Sequence, residues 1–398
     1  MSKAPKLRFK EFSGDWEEDE LGNIIEISKS KYNPLKNEED YKCIELENLS
    51  QETGQLLGYF NSKEQQSIKN KFNKGEVLFG KLRSYLKKYW LADFEGVCSS
   101  EIWVLNGIKA SNNFIYRLIQ TDKFNFISNI SSGSKMPRAD WSYMREFPFF
   151  IPKLEEQEKI ASFFSLIDEK IYLQGEKVEV LKDYKTGMMQ KIFSRELRFK
   201  NDEGRDYPEW EHKKLNRIVE RITRKNKGTI CTLPLTISAQ YGLVDQVTFF
   251  NKTVASANLE GYYLLEKGEF AYNKSYSTGY PFGAIKRLDR YDRGVLSSLY
   301  ICFSILEGVD SDFLVQYFET SCWHKEISMI AVEGARNHGL LNISVSDFFE
   351  TYHWIPCYDE QVKIGEFLGK IDEKINKEQE KLDSLNEYKK GLLQKMFV

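Results

Sequence analysis

Long apolar runs are missing from this sequence. The longest lies near Phe147–Ile151, so no segment is long enough to span a bilayer. Histidine is scarce: His212, His324, His338 and His353 are scattered, and none pairs with cysteine or carboxylate at zinc-site spacing. The six cysteines, at 43, 98, 231, 302, 322 and 357, form no Cys-x-x-Cys pair and read as reduced, mostly buried thiols. Met1–Lys6 has no apolar core after its basic start, so no secretory signal is expected and a cytoplasmic location is. Charge of one sign is lacking too, with 57 Lys plus Arg against 59 Asp plus Glu and a net charge of -2. Any anionic partner must therefore be met by local patches. A hydrophobic content of 41% and an aromatic content of 14% exclude a disordered or collagen-like chain.

Catalytic motifs are also missing. Gly75-Glu76-Val77-Leu78-Phe79-Gly80-Lys81-Leu82 approaches a phosphate-binding loop, but Leu82 stands where a magnesium-binding hydroxyl is required. Its Val-Leu-Phe interior is strand-like, whereas such a loop needs small residues. Asn33-Pro34-Leu35 is the only Asn-Pro, so there is no Asn-Pro-Pro-aromatic motif for methylating a base amine. No glycine-rich cofactor loop follows a strand, and Asp372-Glu373 sits in a charged helix. The default is a binding or scaffold role.

What is present is a duplication. Residues 151–193 and 355–397 align at a constant offset of 204 with 21 identities in 43 positions. Weaker echoes open each half. Leu7-Arg8-Phe9-Lys10 recurs as Leu197-Arg198-Phe199-Lys200, and Trp16-Glu17 as Trp210-Glu211. Lys74-Gly75-Glu76 recurs as Lys267-Gly268-Glu269, and Ser99-Ser100 as Ser297-Ser298. The order is domain (1–150), helix (151–195), domain (196–352), helix (353–398). The helices are alike, while the domains share landmarks and little else.

Each helix carries a heptad seam. The first runs Ile160, Phe164, Ile167, Ile171, Gln174, Val178, Leu181, Lys185, Met188, Ile192. The second runs Ile364, Leu368, Ile371, Ile375, Glu378, Leu382, Leu385, Lys389, Leu392, Met396, with polar breaks at the same two places. Glu155-Glu156 and Asp359-Glu360 suit the positive end of the helix dipole, and Pro152 and Pro356 punctuate the starts. A rod of about 60 Å with one apolar stripe needs a partner, at 1.5 Å rise per residue. The nearest is its own duplicate, which predicts an intramolecular antiparallel coiled coil with pseudo-twofold symmetry.

The intervening domains read as mixed α/β (α+β). Val77–Phe79, Ile102–Leu105, Phe270–Tyr272 and Leu299–Phe303 predict strands. Asn112–Gln120 and Asp312–Phe318 predict helices, and Leu21–Ile25 and Leu215–Val219 predict short opening helices. Basic clusters supply the positive functional evidence. Lys63–Lys88 holds eight basic residues against two acidic, with Tyr85 and Tyr89 interleaved, and Lys213–Lys227 holds seven against one. Such clusters fit either a solvated surface or one face for nucleic acid.

The whole arrangement resembles the specificity subunit of type I restriction–modification enzymes. The resemblance rests on the Leu-Arg-Phe-Lys openings, the Ile-Pro…Glu-Gln-x-x-Ile helix starts, Ile-Asp-Glu-Lys-Ile at 167–171 and 371–375, and the Gln-Lys-x-Phe ends at 190–193 and 394–397. It implies two target recognition domains, each reading half of a split double-stranded DNA site, held apart by the helices. It implies a chain without catalysis or cofactor of its own. Two methyltransferase subunits using S-adenosylmethionine, and restriction (translocase–nuclease) subunits using ATP and Mg, would be its partners, with no membrane involved. Candidate DNA-binding residues follow the matched strands: Lys81, Arg83, Ser84 and Tyr85 in the first domain, Lys274, Tyr276 and Ser277 in the second. Two late Gly-containing loops add Lys135 and Arg138, and Arg336, Asn337 and His338. Arginine and asparagine can pair bidentately with base edges. The alternatives are an autonomous DNA-modifying enzyme, a coiled-coil adaptor without DNA function, and a recognition subunit of a related defence system.

Overall fold

The computed structural model of the chain describes residues 3–130, 136–252, 255–256, 258–277, 279–331 and 341–398. It folds as two compact units, residues 1–176 with 379–398, and residues 177–378. Two long helices, Leu154–Phe193 and Tyr358–Met396, each give one segment to each unit.

In the first unit a four-stranded antiparallel sheet has the order Ile25–Ile27, Ile102–Gly107, Val77–Gly80, Tyr89–Leu91. In the second unit the order is Val219–Arg221, Ile301–Ile305, Phe270–Asn273, Ala284–Arg287. These are the same sheet built twice, so the domains share more than landmarks. Only the central strands matched in the residues; the whole sheet did not, because a strand is specified by apolar alternation, which many side chains satisfy. Each unit also pairs the strand after its tryptophan with the strand before its long helix, Glu17–Glu20 with Pro148–Ile151 and Glu211–Lys214 with Tyr352–Ile355. Beyond these the units diverge. The first adds a five-stranded sheet with one parallel pair, Cys43 opposite Val97. The second adds two hairpin-like pairs, Leu235–Ser238 with Gly242–Asp245 and Tyr263–Glu266 with Arg293–Leu296.

Most expected elements are present. Helices occupy Leu21–Ile24, Asn112–Leu118 and Ser311–Phe318, and a 3₁₀ turn Leu215–Arg217. One strand begins later than the composition suggests. Leu299 and Tyr300 lie in a turn closed by Tyr300 N–H donating to Ser297 O at 3.2 Å, and the strand starts at Ile301. The phosphate-loop lookalike is buried strand at Val77–Gly80.

The echoed landmarks prove to be one clamp made twice. In the first unit Arg8 donates from Nε and Nη2 to the two oxygens of Glu156, both at 2.7 Å, and Trp16 Nε1 donates to Glu156 Oε1 at 3.3 Å. In the second, Arg198 grips Glu360 at 3.2 and 2.8 Å, and Trp210 Nε1 donates to Glu360 Oε2 at 3.1 Å. Glu156 and Glu360 are only 2% and 0% exposed. The sequence reading gave these glutamates to the helix dipole alone; burial requires counter-charge as well, and the Leu-Arg-Phe-Lys opening supplies it. The neighbouring glutamines cap the same junction. Gln157 donates to Pro152 O and accepts from Ser111 N–H, while Gln361 donates to Pro356 O and accepts from Asp310 N–H, all at 2.8 to 2.9 Å.

The rest of the opening follows suit. Leu7 N–H donates to Lys395 O at 2.9 Å, and Leu197 N–H to Lys191 O at 3.0 Å. Phe9 meets Phe163 edge-on at 5.6 Å, and Phe199 meets Phe367 at 5.4 Å. The phenylalanine ending each repeat docks likewise: Phe397 stacks on Phe114 at 5.3 Å, and Phe193 packs on Phe313 at 5.9 Å. Each unit thus holds the start of one long helix and the end of the other.

The helix segments run antiparallel within each unit. In the second, Lys185 pairs with Asp372 at 2.6 Å and Lys177 with Glu378 at 3.1 Å, one series ascending while the other descends. In the first, Lys389 pairs with Asp168 at 2.8 Å while Phe164 and Phe397 are neighbours. The lysines that break both seams are therefore ion-pair partners, and Lys185–Asp372 is the copy of Lys389–Asp168 at offset 204. The surroundings differ. Asp168 also accepts from Arg117, whereas Asp372 accepts from the neutral Gln316 at 2.8 Å. Burial lowers the Lys389 pKa, and Asp168 opposes that shift.

Candidate nucleic-acid interface

Two segments flagged separately by sequence come together in the first unit. After the strand Val77–Gly80 the chain turns through Lys81–Leu86. Ala139 N–H donates to Lys81 O at 2.9 Å, and Arg83 N–H donates to Pro137 O at 2.8 Å. The loop holding Arg138 thus lies against the one holding Arg83. In the second unit Leu341 N–H donates to Lys274 O at 2.9 Å, the matching contact. Lys135, Arg336, Asn337 and His338 lie outside the described residues.

The turn in the first unit is conformationally costly. Arg83 and Lys87 have φ of 53° and 47°, the left-handed region, and flank the 3₁₀ turn Ser84–Leu86. Neither is glycine, so each position costs of order 1–2 kcal/mol. The surrounding fold holds the turn in place. Ser84 Oγ donates to Ser128 O at 2.7 Å and lies 2.9 Å from Asn129 Oδ1, and Glu52 N–H donates to Lys87 O at 3.0 Å. Ser84 is buried and its hydroxyl is used inside the fold, so it is an anchor of the turn and not a group open to a ligand. Arg83 and Tyr85 are exposed. Arg138 is matched to Glu101, with Nε and Nη2 at 3.0 and 3.3 Å from its oxygens. Lys81 and Arg83 form no ion pair among the described residues.

In the second unit Tyr276 and Ser277 are exposed. Lys274 is half-buried, donates to Ile343 O at 3.2 Å, and has its pKa lowered by burial.

Charge clustering along the chain overstated the free charge. In the first cluster Lys69 pairs with Glu45, Lys71 with Glu39 and Lys87 with Glu52, while Lys88 donates to Leu46 O. In the second, Lys213 pairs with Glu211, Lys214 with Glu350 and Arg224 with Glu269, and Lys225 lies over the Tyr263 ring. Among the described residues Arg217, Arg221, Lys225 and Lys227 are without an ion pair there. Arg221 is a cation that motif reading passed over, because it stands on a strand and its surroundings come from distant segments.

Residues 13–183 match the family model of the type I restriction modification DNA specificity domain. The chain is 32% identical over 112 residues to the type I restriction enzyme EcoDI specificity subunit of Escherichia coli, covering 27% of this chain and 25% of that protein. It is 24% identical over 429 aligned positions to the type I restriction enzyme MjaVIII specificity subunit of Methanocaldococcus jannaschii, covering 97% and 94%. The chain thus spans a quarter of the first relative and nearly all of the second. Two solved structures share the fold. A chain from work on complex assembly and conformational transition of the type I R-M system has TM-score 0.56 and 14% identity, over 96% of this chain and 97% of that one. The type I restriction-modification system S subunit from M. genitalium has TM-score 0.57 and 15% identity, over 99% of both chains. Similarity to the DNA specificity domain thus covers residues 13–183, and a weaker similarity to a type I specificity subunit runs along nearly the whole chain.

Proposed function

We propose that this chain is the DNA-reading subunit of a type I restriction–modification complex. Each unit reads one half of an asymmetric bipartite duplex site, and the paired helices, as a coiled coil, set the gap between the halves. The same frame docks two adenine methyltransferase subunits and restriction subunits. Those partners bring S-adenosylmethionine, ATP and Mg, and this chain contributes recognition without catalysis. The observation that carries the reading is the clamp built twice around domains whose exposed loops differ. One frame then presents two independent readers and two equivalent docking faces. Turnover of S-adenosylmethionine by the highly purified chain without partners would favour the autonomous-enzyme alternative, and neighbouring genes would separate it from a related defence system.

Exchanging residues 196–352 for the corresponding domain of a relative tests the reading. Host DNA methylation is expected to change in one half of the target and not in the other. Alteration of both halves, or of neither, would refute it.

The strained turn gives a second expectation. Arg83→Gly removes left-handed strain but adds unfolded-chain entropy, so stability should change by less than about 1 kcal/mol. Duplex affinity should nevertheless fall about 5- to 150-fold, the span of 1–3 kcal/mol for one arginine contact. Thermal unfolding and a binding titration on the same sample decide it; unchanged affinity would remove Arg83 from the interface.

A further inference from the structure

The second unit contains a narrow cavity lined by Arg221, Tyr263, Lys274, Ser298 and Tyr300, with Leu299 beside them. Sheet register gives their positions. Arg221 ends the outer strand and pairs with Phe303. Lys274 follows the central strand, whose Tyr272 pairs with Ile301. Ser298 and Tyr300 lead into the strand between them. Arg221 lies level with Phe270, Lys274 lies further along in the same strand direction, and both line the cavity.

Neither cation is compensated. Arg221 and Lys274 form no ion pair among the described residues. Among the described residues the side-chain hydrogen bond of Lys274 goes to a carbonyl, and two further N–H groups have no partner there. Lys274 is half-buried and Arg221 exposed; the two like charges repel, and an anion between them reverses the sign of the interaction. The first unit lacks this arrangement. Aligning the two sheets by register places Ile27 at the position of Arg221, Ile102 at that of Tyr300 and Glu101 at that of Leu299. There Glu101 already answers Arg138. The cation pair is a property of the second unit alone.

We propose that this cavity seats one backbone phosphate of the bound duplex, held by Arg221 and Lys274 with Ser298 Oγ as a further donor. The inference rests on the reading of the second unit as a DNA binder and assigns Lys274 to positioning, not to base readout. The neighbouring exposed Tyr276 and Ser277 favour a phosphate that is part of a strand over a free ion, because a strand seated here would run on past them. Such a contact carries no sequence information but is salt-dependent, contributing about 0.9 to the slope of log K against log salt for each phosphate neutralised.

The test uses the full chain purified from its host with its co-purifying subunits. Affinity for target and non-target duplexes is measured over a salt series, for the wild type and for Arg221→Gln with Lys274→Gln. The slope should fall by about 0.9 on both duplexes while the preference for the target persists. An unchanged slope overturns the proposal. A lost preference with an unchanged slope also overturns it, since the pair would then read bases. Arg221→Lys should retain the slope, which separates lost contact from lost folding. Inorganic phosphate is the control for the other source: stabilisation of wild type but not variant by millimolar phosphate, with no change of slope on DNA, would mark a small-anion site and overturn the DNA assignment. Wild type without target preference would defeat the underlying reading instead.

Discussion

Glu360→Ala should destabilise the second unit by about 3 kcal/mol, and Glu156→Ala the first by a similar amount. Breaking a buried ion pair by deleting one partner costs roughly 3–5 kcal/mol, because the other charge stays behind unpaired. The lower end applies because Arg8 and Arg198 keep 16% and 18% side-chain exposure, so water takes up part of the released charge, and Arg198 keeps a second carboxylate, Glu209 at 3.0 Å. Each deletion also leaves the indole N–H of Trp16 or Trp210 without its acceptor. In units of this size 1 kcal/mol corresponds to roughly 2–4 °C, so the affected transition should drop by about 6–12 °C. Calorimetry should show the loss in one transition only, since each clamp lies within a single unit. The double variant Arg198→Met with Glu360→Met should lose less than the sum of its two single changes, because no charge is stranded. A shift below 2 °C for both alanine variants would mean that the duplicated openings are not structural clamps.

Lengthening the helix pair should widen the DNA gap while leaving the recognised bases alone. The ion pairs dictate how to insert. Seven residues after Val178 in the first helix lie opposite seven after Lys377 in the second, in the register set by Lys177–Glu378 and Lys185–Asp372. Added together, they preserve the seam and every cross-helix ion pair. A heptad in one helix alone would move Lys185 by two turns from Asp372 or force a bulge. Seven residues at 1.5 Å each add about 10 Å, and B-DNA rises 3.4 Å per base pair, so the gap should grow by about one to three base pairs. The lower value applies if the helices tilt against the DNA. Methylome sequencing reads the gap directly. An unchanged gap with intact methylation would show that the helices are not the ruler.

Several features of the site were legible in the residues and several were not. The loop after Val77–Gly80 and its counterpart after Phe270–Asn273 were found because both follow matched strands. That each lies against a second, later loop was not legible. The contacts Lys81–Ala139 and Lys274–Leu341 join positions far apart in the chain, and hydrogen bonding between them leaves no local pattern. Ser84 looked like an interface hydroxyl by its neighbours, but burial against Ser128 turned it inward. Arg221 looked like one cation of a run, and only the packed second unit brings it to the cavity that Lys274 also lines.

By itself the sequence determined the duplication, the two long helices and their seams, and the strands at the heart of each unit. These depend on periodicity and composition within a few turns or residues, which act locally. The tertiary structure alone decided what the repeated residues touch. Glu156 and Glu360 became anchors for arginines about 150 residues away, and Lys185 and Lys389 became ion-pair partners where they seemed defects in a stripe. Part of each basic cluster was matched by carboxylates of the same unit, Lys69, Lys71 and Lys87 in one and Lys213, Lys214 and Arg224 in the other. Charge pairing and burial depend on distances through space, and those are set only once distant segments have packed.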